Sequence, residues 1–228
     1  MFWQDEEDKI HVKVPDDIVD VLFALDCRSI PVDHAFALSQ ALLDPAPWLS
    51  EPGCAIHLIH GAGSQNGWER PEHGIGRQLH LSRRTKLCIR VPKSRIASLK
   101  NALEGEVIKV AGSALRIGAG KQRLLSREGT LLARYVAHPA GLNENGFLSW
   151  AVEELAGSGI RVRKAIGGKS TPLSTPDGPL ETRSLLLADL APDESILLQQ
   201  RGLGPHHEMG CGIFLPHKGI NAVHKTNG

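Results

Sequence analysis

Ile18-Val19-Asp20-Val21-Leu22-Phe23-Ala24-Leu25-Asp26 is a mostly apolar run, β-branched at its start, and it predicts a strand. The breaker Ser29-Ile30-Pro31-Val32-Asp33 follows, and His34-Ala35-Phe36-Ala37-Leu38-Ser39-Gln40-Ala41-Leu42-Leu43 then takes up helical spacing. Leu38, Ala41 and Leu42 share one side of that helix, with Asp33 as its expected N-cap. Further on, Ala55 to His60 predicts a second strand, followed by a Gly/Ser/Asn-rich loop over 61–76. Gln78 to Val91 alternates as one long extended run, with Leu79, Leu81, Leu87, Ile89 and Val91 set against His80, Arg84, Lys86, Cys88 and Arg90. Such alternation presents one apolar face and one basic face. Pro92 ends the run and opens a helix to Leu103; Val107–Val110 and Ala114–Ile117 predict a hairpin around Ala111-Gly112-Ser113. The order is βαββαβ, the ferredoxin-like arrangement.

The pattern then repeats. Leu131 to Ala137 predicts a strand, and Asn145 to Ala156 a helix whose core face is Phe147, Leu148, Ala151, Val152 and Leu155. Ile160 to Ile166 predicts a strand interleaved with basic residues, 167–179 a hairpin loop, and Thr182 to Leu190 an apolar strand. Pro192-Asp193-Glu194-Ser195 caps a short helix through Gln200, and Gly212 to Pro216 supplies a last strand. The fold class is therefore α+β, with tandem ferredoxin-like βαββαβ domains over 1–127 and 128–228, the second carrying a glycine-rich loop.

The 228 residues suffice for one large domain or two small ones. A hydrophobic fraction of 41% with 22% charged residues is that of a globular protein, and the 4% aromatic content rests the core on Leu, Ile, Val and Ala. The acidic start, Met1 to Asp8, has no basic region ahead of an apolar core, and no window approaches a membrane span. No membrane association and, by default, a cytoplasmic location are expected. The four cysteines, Cys27, Cys54, Cys88 and Cys211, show no C-x-x-C pairing, so buried free thiols are expected rather than zinc or disulfides. The net charge of +1 conceals segregation: acids cluster at 5–8, 16–20 and 189–194, and bases at 77–100, 116–127 and 161–169. Segregation of this kind can give a nearly neutral protein a positive face.

Several histidines have the placement chemistry requires. His34, at a helix start, would be a partly exposed imidazole whose protonated form the helix dipole disfavours, which suits a general acid or base near neutral pH. The competing reading is a capping-region histidine without chemistry. His57 and His60 are three apart, on opposite faces of a strand, and no carboxylate or Cys at ligand spacing supports a metal. His80-Leu81-Ser82 is half of the H-x-[ST] pattern of two-histidine phosphoesterases, and a second copy is missing from the other half. Gly202, Gly204, Gly210 and Gly212 fall within eleven residues between a helix and a strand. They lack the G-x-x-x-x-G-K-[ST] form and its strand-to-helix setting, so they are not a nucleotide P-loop.

Taken together, four segments resemble the CRISPR-associated repeat-processing endoribonucleases, the Cas-six family of RAMP proteins, in particular their Myxan-subtype branch. They are Val19 to Leu25 with Ser29 to His34 and Ala37-Leu38; Leu79 to Pro92; Ser195 to Gln199; and Gln200 to Gly204 with Met209 to Pro216. The resemblance implies a tandem RAMP fold, which is RRM-like, that binds the repeat of precursor CRISPR RNA, often as a stem-loop, and cuts at the stem base to give mature crRNA. It implies no cofactor and no metal: the ribose 2′-hydroxyl attacks the adjacent phosphate, leaving a 2′,3′-cyclic phosphate and a 5′-hydroxyl. It maps the usual catalytic histidine onto His34, with His60 as a second acid or base. RNA contacts are expected from Arg83, Arg84, Lys164, Lys169, Gly204, His206, His207 and Gly210. In this loop Pro205-His206-His207-Glu208 stands where the family is often basic, which implies an RNA grip that is either weaker there or dependent on pH through the two histidines. A second reading keeps the fold without the cut, as an RNA-binding subunit of a CRISPR effector complex; a third is a phosphoesterase built on His80.

Overall fold

A computed structural model describes residues 17–60 and 77–217. In the first half, β1 (Ile18–Asp26), β3 (Ala55–Ile56), β5 (Lys86–Pro92) and β7 (Ser113–Arg123) form an antiparallel sheet in the order β3-β5-β1-β7, with β6 (Val107–Val110) added at the edge. Numbered as the four strands of one βαββαβ unit, that order is 2-3-1-4, the ferredoxin-like sheet. Helices α1 (Ala35–Leu43) and α2 (Ile96–Leu103) cover one face, and Phe23, Leu38, Leu42, Leu87, Ile89 and Leu99 are fully buried between the layers. The period-2 pattern dictates this: Val19, Val21 and Phe23 turn inward, and the alternate residues face the uncovered side.

The second half repeats the plan. Strands β8 (Leu131–Ala137), β9 (Lys164–Ser170), β12 (Thr182–Ala188) and β13 (Leu215–Pro216) lie in the order β13-β8-β12-β9, again 4-1-3-2. Helices α3 (Glu144–Gly157) and α4 (Pro192–Arg201) pack over a core of Leu131, Phe147, Leu155, Leu185, Leu198 and Phe214. The two sheets make the molecule a tandem of ferredoxin-like units. Among the described residues, no helix is long and apolar enough to cross a membrane.

Several elements differ from expectation. Asp33 is not the cap of α1: His34 occupies the N-cap position without a side-chain cap bond, because its ring turns inward. The long run from Gln78 is broken into β4 (Gln78–His80), paired with β2 (Ser29–Pro31), and β5, with a turn between them. In that turn the Thr85 amide donates to Ser82 O at 3.0 Å and Ser82 N donates to Thr85 Oγ1 at 3.1 Å. The second strand is shorter than Ala55 to His60, although the His57 amide still donates to Cys88 O. The expected loop 167–179 holds the end of β9 and a hairpin of its own, β10 (Leu173–Thr175) with β11 (Gly178–Leu180). On α3, Val152 is 40% exposed rather than in the core. The last strand is only Leu215–Pro216, and the loop 61–76 lies outside the described residues.

Candidate functional site

One end of the molecule gathers segments that are far apart in sequence. The N-terminus of α1, the segment after β3, the end of β8, hairpin β10–β11 and the glycine loop share a small buried cluster of Ala35, Leu58, Tyr135, Ala137, Leu173 and Cys211. The loop is held from within, Leu203 N donating to Gly212 O and Cys211 N to His206 O, and Gly212 N donates to Tyr135 O on β8. Gly210 has a φ of 82°, and a Cβ there would stand 2.5 Å from Leu58 Cγ. Only glycine lets the loop lie on Leu58.

Next to Leu58, the Ile59 amide donates to His34 Nε2 at 3.1 Å. A backbone amide can only donate, so Nε2 carries the lone pair and Nδ1 the proton; Nδ1 stands 2.9 Å from Pro31 O and 3.0 Å from Val32 O. The ring is 1% exposed, which corrects the expected partly exposed imidazole. Burial of this kind follows from the inward turn of the side chain against the β3 segment. His60, half-buried, follows directly after Ile59. His34, His60 and Gly210 therefore come to one place.

The other expected residues sit differently. His206 is exposed in the left-handed conformation, Nδ1 3.4 Å from Glu208 Oε1. His207 is half-buried; burial pushes its pKa down, and its Nε2 has no hydrogen-bond partner. Both line a cleft of about 630 Å³ that the loop and the end of α4 form with the segment 49–54, where Asp17, Glu51 and Arg201 also lie. Gly204 packs beneath the loop against Ala137 and Trp150. Arg83 and Arg84 are exposed at the turn that Ser82 and Thr85 hold. Lys169 is exposed on β9, whereas Lys164 is tied to Asp189 at 2.8 Å.

A buried charge cluster was not anticipated from sequence. Asp20 lies opposite Arg90 on β5 and Arg123 on β7, and its carboxylate accepts from Arg90 Nε at 2.8 Å and Arg123 Nη2 at 2.9 Å. Burial would raise its pKa, but the adjacent His57, Arg90 and Arg123 hold it well below the usual carboxylate range. Arg90 Nη1 also donates to Gln199 O on α4 at 2.5 Å, joining the two halves. His57 Nε2 stands 3.5 Å from Asp20 Oδ1, at ion-pair distance, and burial pushes its pKa down. Asp20, His57 and Cys88 are close enough to share a metal ion. They do not suit one: two guanidinium groups already occupy the carboxylate, and burial pushes the Cys88 thiol far up, away from the thiolate a metal needs. The sequence signal for the cluster was an Asp inside an apolar strand and an Arg at an alternating position.

The family model described as Cas6 Crispr matches residues 19–219. The chain belongs to the Cas6 family. The CRISPR-associated endonuclease Cas6 of Myxococcus xanthus (strain DK1622) is 28% identical to this Cas6-family chain over 199 residues, 87% of the chain and 81% of that protein. A solved CRISPR associated protein Cas6 superposes with a TM-score of 0.62 at 12% identity, covering 88% of this chain and 100% of its own. The product of a Cas6-related gene from Pyrococcus furiosus gives 0.60 at 13% identity over 87% and 98%. At such identities the two structures speak to the fold, the tandem ferredoxin-like one seen in both sheets of this Cas6-family chain.

Proposed function

We propose that this Cas6-family chain binds CRISPR repeat RNA and cuts it, without a metal, at the end where His34, His60 and the glycine loop meet. The convergence of two sequence-distant segments, the start of α1 and the glycine loop, on Leu58 and Ile59 just before His60 is the observation that carries the reading. In the reaction the ribose 2′-oxygen bonds to the adjacent phosphorus and loses its proton to a base. The bond from phosphorus to the 5′-oxygen breaks, and an acid protonates that oxygen, leaving a 2′,3′-cyclic phosphate and a 5′-hydroxyl. His34 Nε2 holds the lone pair suited to the 2′ proton; the Ile59 amide now occupies it, so the hydroxyl must displace that amide. His60 is the second acid or base. Arg83, Arg84 and Lys169 would hold phosphates, with Lys164 joining them only by leaving Asp189. His206, His207, Gly204 and Gly210 shape the RNA-facing loop. The domain boundary belongs in the connection between β7 and β8, at 127/128.

One observation favours a second reading, an RNA-binding subunit of an effector complex that does not cut: both His34 ring nitrogens are engaged by backbone and the ring is 1% exposed. Incubation with the repeat RNA of the neighbouring array in EDTA, followed by end-group analysis, separates the two. The cutting enzyme yields a cyclic phosphate, and His34→Ala and His60→Ala each lower its rate by about 100-fold or more while repeat binding stays within a few-fold. Tight binding with no cyclic-phosphate product at any pH establishes the second reading instead. A His34→Ala protein that is folded by circular dichroism and cuts undiminished removes His34 from the chemistry.

A further inference from the structure

The face of the first sheet turned away from α1 and α2 carries a group of exposed cations. Strand pairing fixes which residues share it: Lys86 opposite Ala24, Cys88 and Lys121 on either side of Leu22, and Val107 opposite Arg116, with Lys109 next along β6 opposite Ala114. Helices α1 and α2 lie on the other face, and the second half covers only the end around Arg90. Lys86, Lys109, Arg116 and Lys121 are all exposed. Elsewhere several surface cations have carboxylate partners: Arg95 with Glu51 at 2.9 Å, Lys100 with Glu104 at 3.6 Å, Arg163 with Glu194 and Lys164 with Asp189. Among the described residues, none of the four sheet cations has an ion pair. The carboxylates at the strand positions of this face are Asp20, buried and already taken, and Asp26 at the end of β1, opposite Arg116 in the strand register but not within ion-pair distance of it.

The floor between the cations is low. A Cβ on Gly118 would stand 3.1 Å from Ala24 Cβ, and Ala24 and Ala114 keep the middle of the face low, with Leu22 and the exposed Val107 as its apolar side chains. No aromatic ring occupies the strand positions of this face. A polyanion would find positive charge and a smooth floor here, with nothing to stack bases on or to read them by.

We propose that this sheet face, separate from the end that holds His34, holds the unpaired RNA strand beyond the repeat through its phosphates and without regard to sequence. The assignment rests on the RNA reading above and adds a second surface to it. Sequence indifference suits the strand outside a repeat, whose bases differ from one unit to the next while its phosphates do not.

The test is the triple variant Lys109→Gln, Arg116→Gln, Lys121→Gln, three exposed positions whose change leaves the core intact. Its binding is measured to the repeat RNA alone and to the repeat carrying unpaired extensions of about 15 nucleotides on both sides, in two unrelated sequences. For extended RNA the variant should bind roughly 10- to 100-fold more weakly near 0.1 M salt, and the slope of log K against log salt should flatten by about 2, for three lost single-strand phosphate contacts. Both extension sequences should lose equally, while binding and cutting of the repeat alone stay as in the unaltered chain. Unchanged binding of extended RNA overturns the inference, as does a loss confined to one extension sequence or equally large for the repeat alone. Unchanged RNA binding with loss of a dimer in sedimentation gives the face to a second copy, and also overturns it. If the unaltered chain binds no repeat RNA at all, the parent reading fails, an outcome distinct from every one of these.

Discussion

Gly210 and Gly112 have nearly the same backbone and different surroundings. Their φ values are 82° and 85°, but a Cβ on Gly210 meets Leu58 whereas one on Gly112 meets nothing within 4 Å. Alanine at either position carries the left-handed conformational cost of about 1–2 kcal/mol. Gly210→Ala must in addition push the loop off Leu58. It should therefore lose more stability in urea than Gly112→Ala and slow repeat cleavage, while Gly112→Ala cuts normally. Equal cleavage by the two variants would mean that contact between the loop and Leu58 does not shape the site. The glycine pattern itself was legible in the sequence, since its spacing between a helix and a strand marks a loop that closes on something. What it closes on was not, because Leu58 is 152 positions earlier and carries no local mark. His34 was legible as a residue at a helix start. Its burial was not, since that depends on where the Ile59 amide arrives.

Helix α4 ties the halves together chiefly through Gln199, with Gln200 Nε2 also donating to Asp17 Oδ1 at 3.0 Å. Gln199 Nε2 donates to Ser126 O at 2.6 Å, its Oε1 accepts from Ser126 N at 3.1 Å, and its backbone oxygen takes Arg90. Ser195 Oγ adds a bond to Glu128 O at 2.7 Å. Gln199→Ala leaves the Ser126 amide without a partner and Ser126 O with only a long contact from Ser195 Oγ at 3.5 Å, and should cost about 1–3 kcal/mol in urea unfolding. A loss below about 0.5 kcal/mol would show that water replaces the glutamine freely. At this scale the sequence was informative wherever apolar periodicity ran unbroken: β8 begins and ends as expected at Leu131 and Ala137, and α4 runs from Pro192. It misled where turn residues stayed in phase with a strand. Ser82, Arg83, Arg84 and Thr85 fit the alternation between Leu81 and Leu87, so the turn that their own side chains close was invisible to it. The hairpin β10–β11 was hidden for the opposite reason: Pro172, Pro176 and Pro179 read as loop, although prolines are tolerated at the margins of a two-stranded ribbon.

Across the whole molecule, the joint between the halves is built from groups that titrate. Burial lowers the pKa of His57 and of His207, so each is kept neutral in the folded chain while it still takes a proton near pH 6.5 when unfolded. Their contribution is present above about pH 6.5 and is lost as the pH falls from there toward the folded values. Asp20 is held below the usual carboxylate range, so its contribution is present above about pH 3.9 and fades as the pH drops beneath that. Stability should therefore fall in two stages on acidification, the first with a slope of up to about 1.4 kcal/mol per pH unit for each histidine. Urea unfolding followed between pH 7.5 and 3 reads both stages. His57→Asn should flatten the first and leave part of it to His207. Asp20→Asn should remove the second stage and cost about 3–5 kcal/mol at neutral pH, because Arg90 remains buried beside a lost partner. A stability profile flat from pH 6.5 to 5 would mean that the folded chain protonates both histidines without cost. Because Arg90 contacts Asp20 in the first sheet and Gln199 in α4, and the folded chain keeps Asp20 ionised far below the usual carboxylate range, this joint should hold on acidification until the chain itself unfolds.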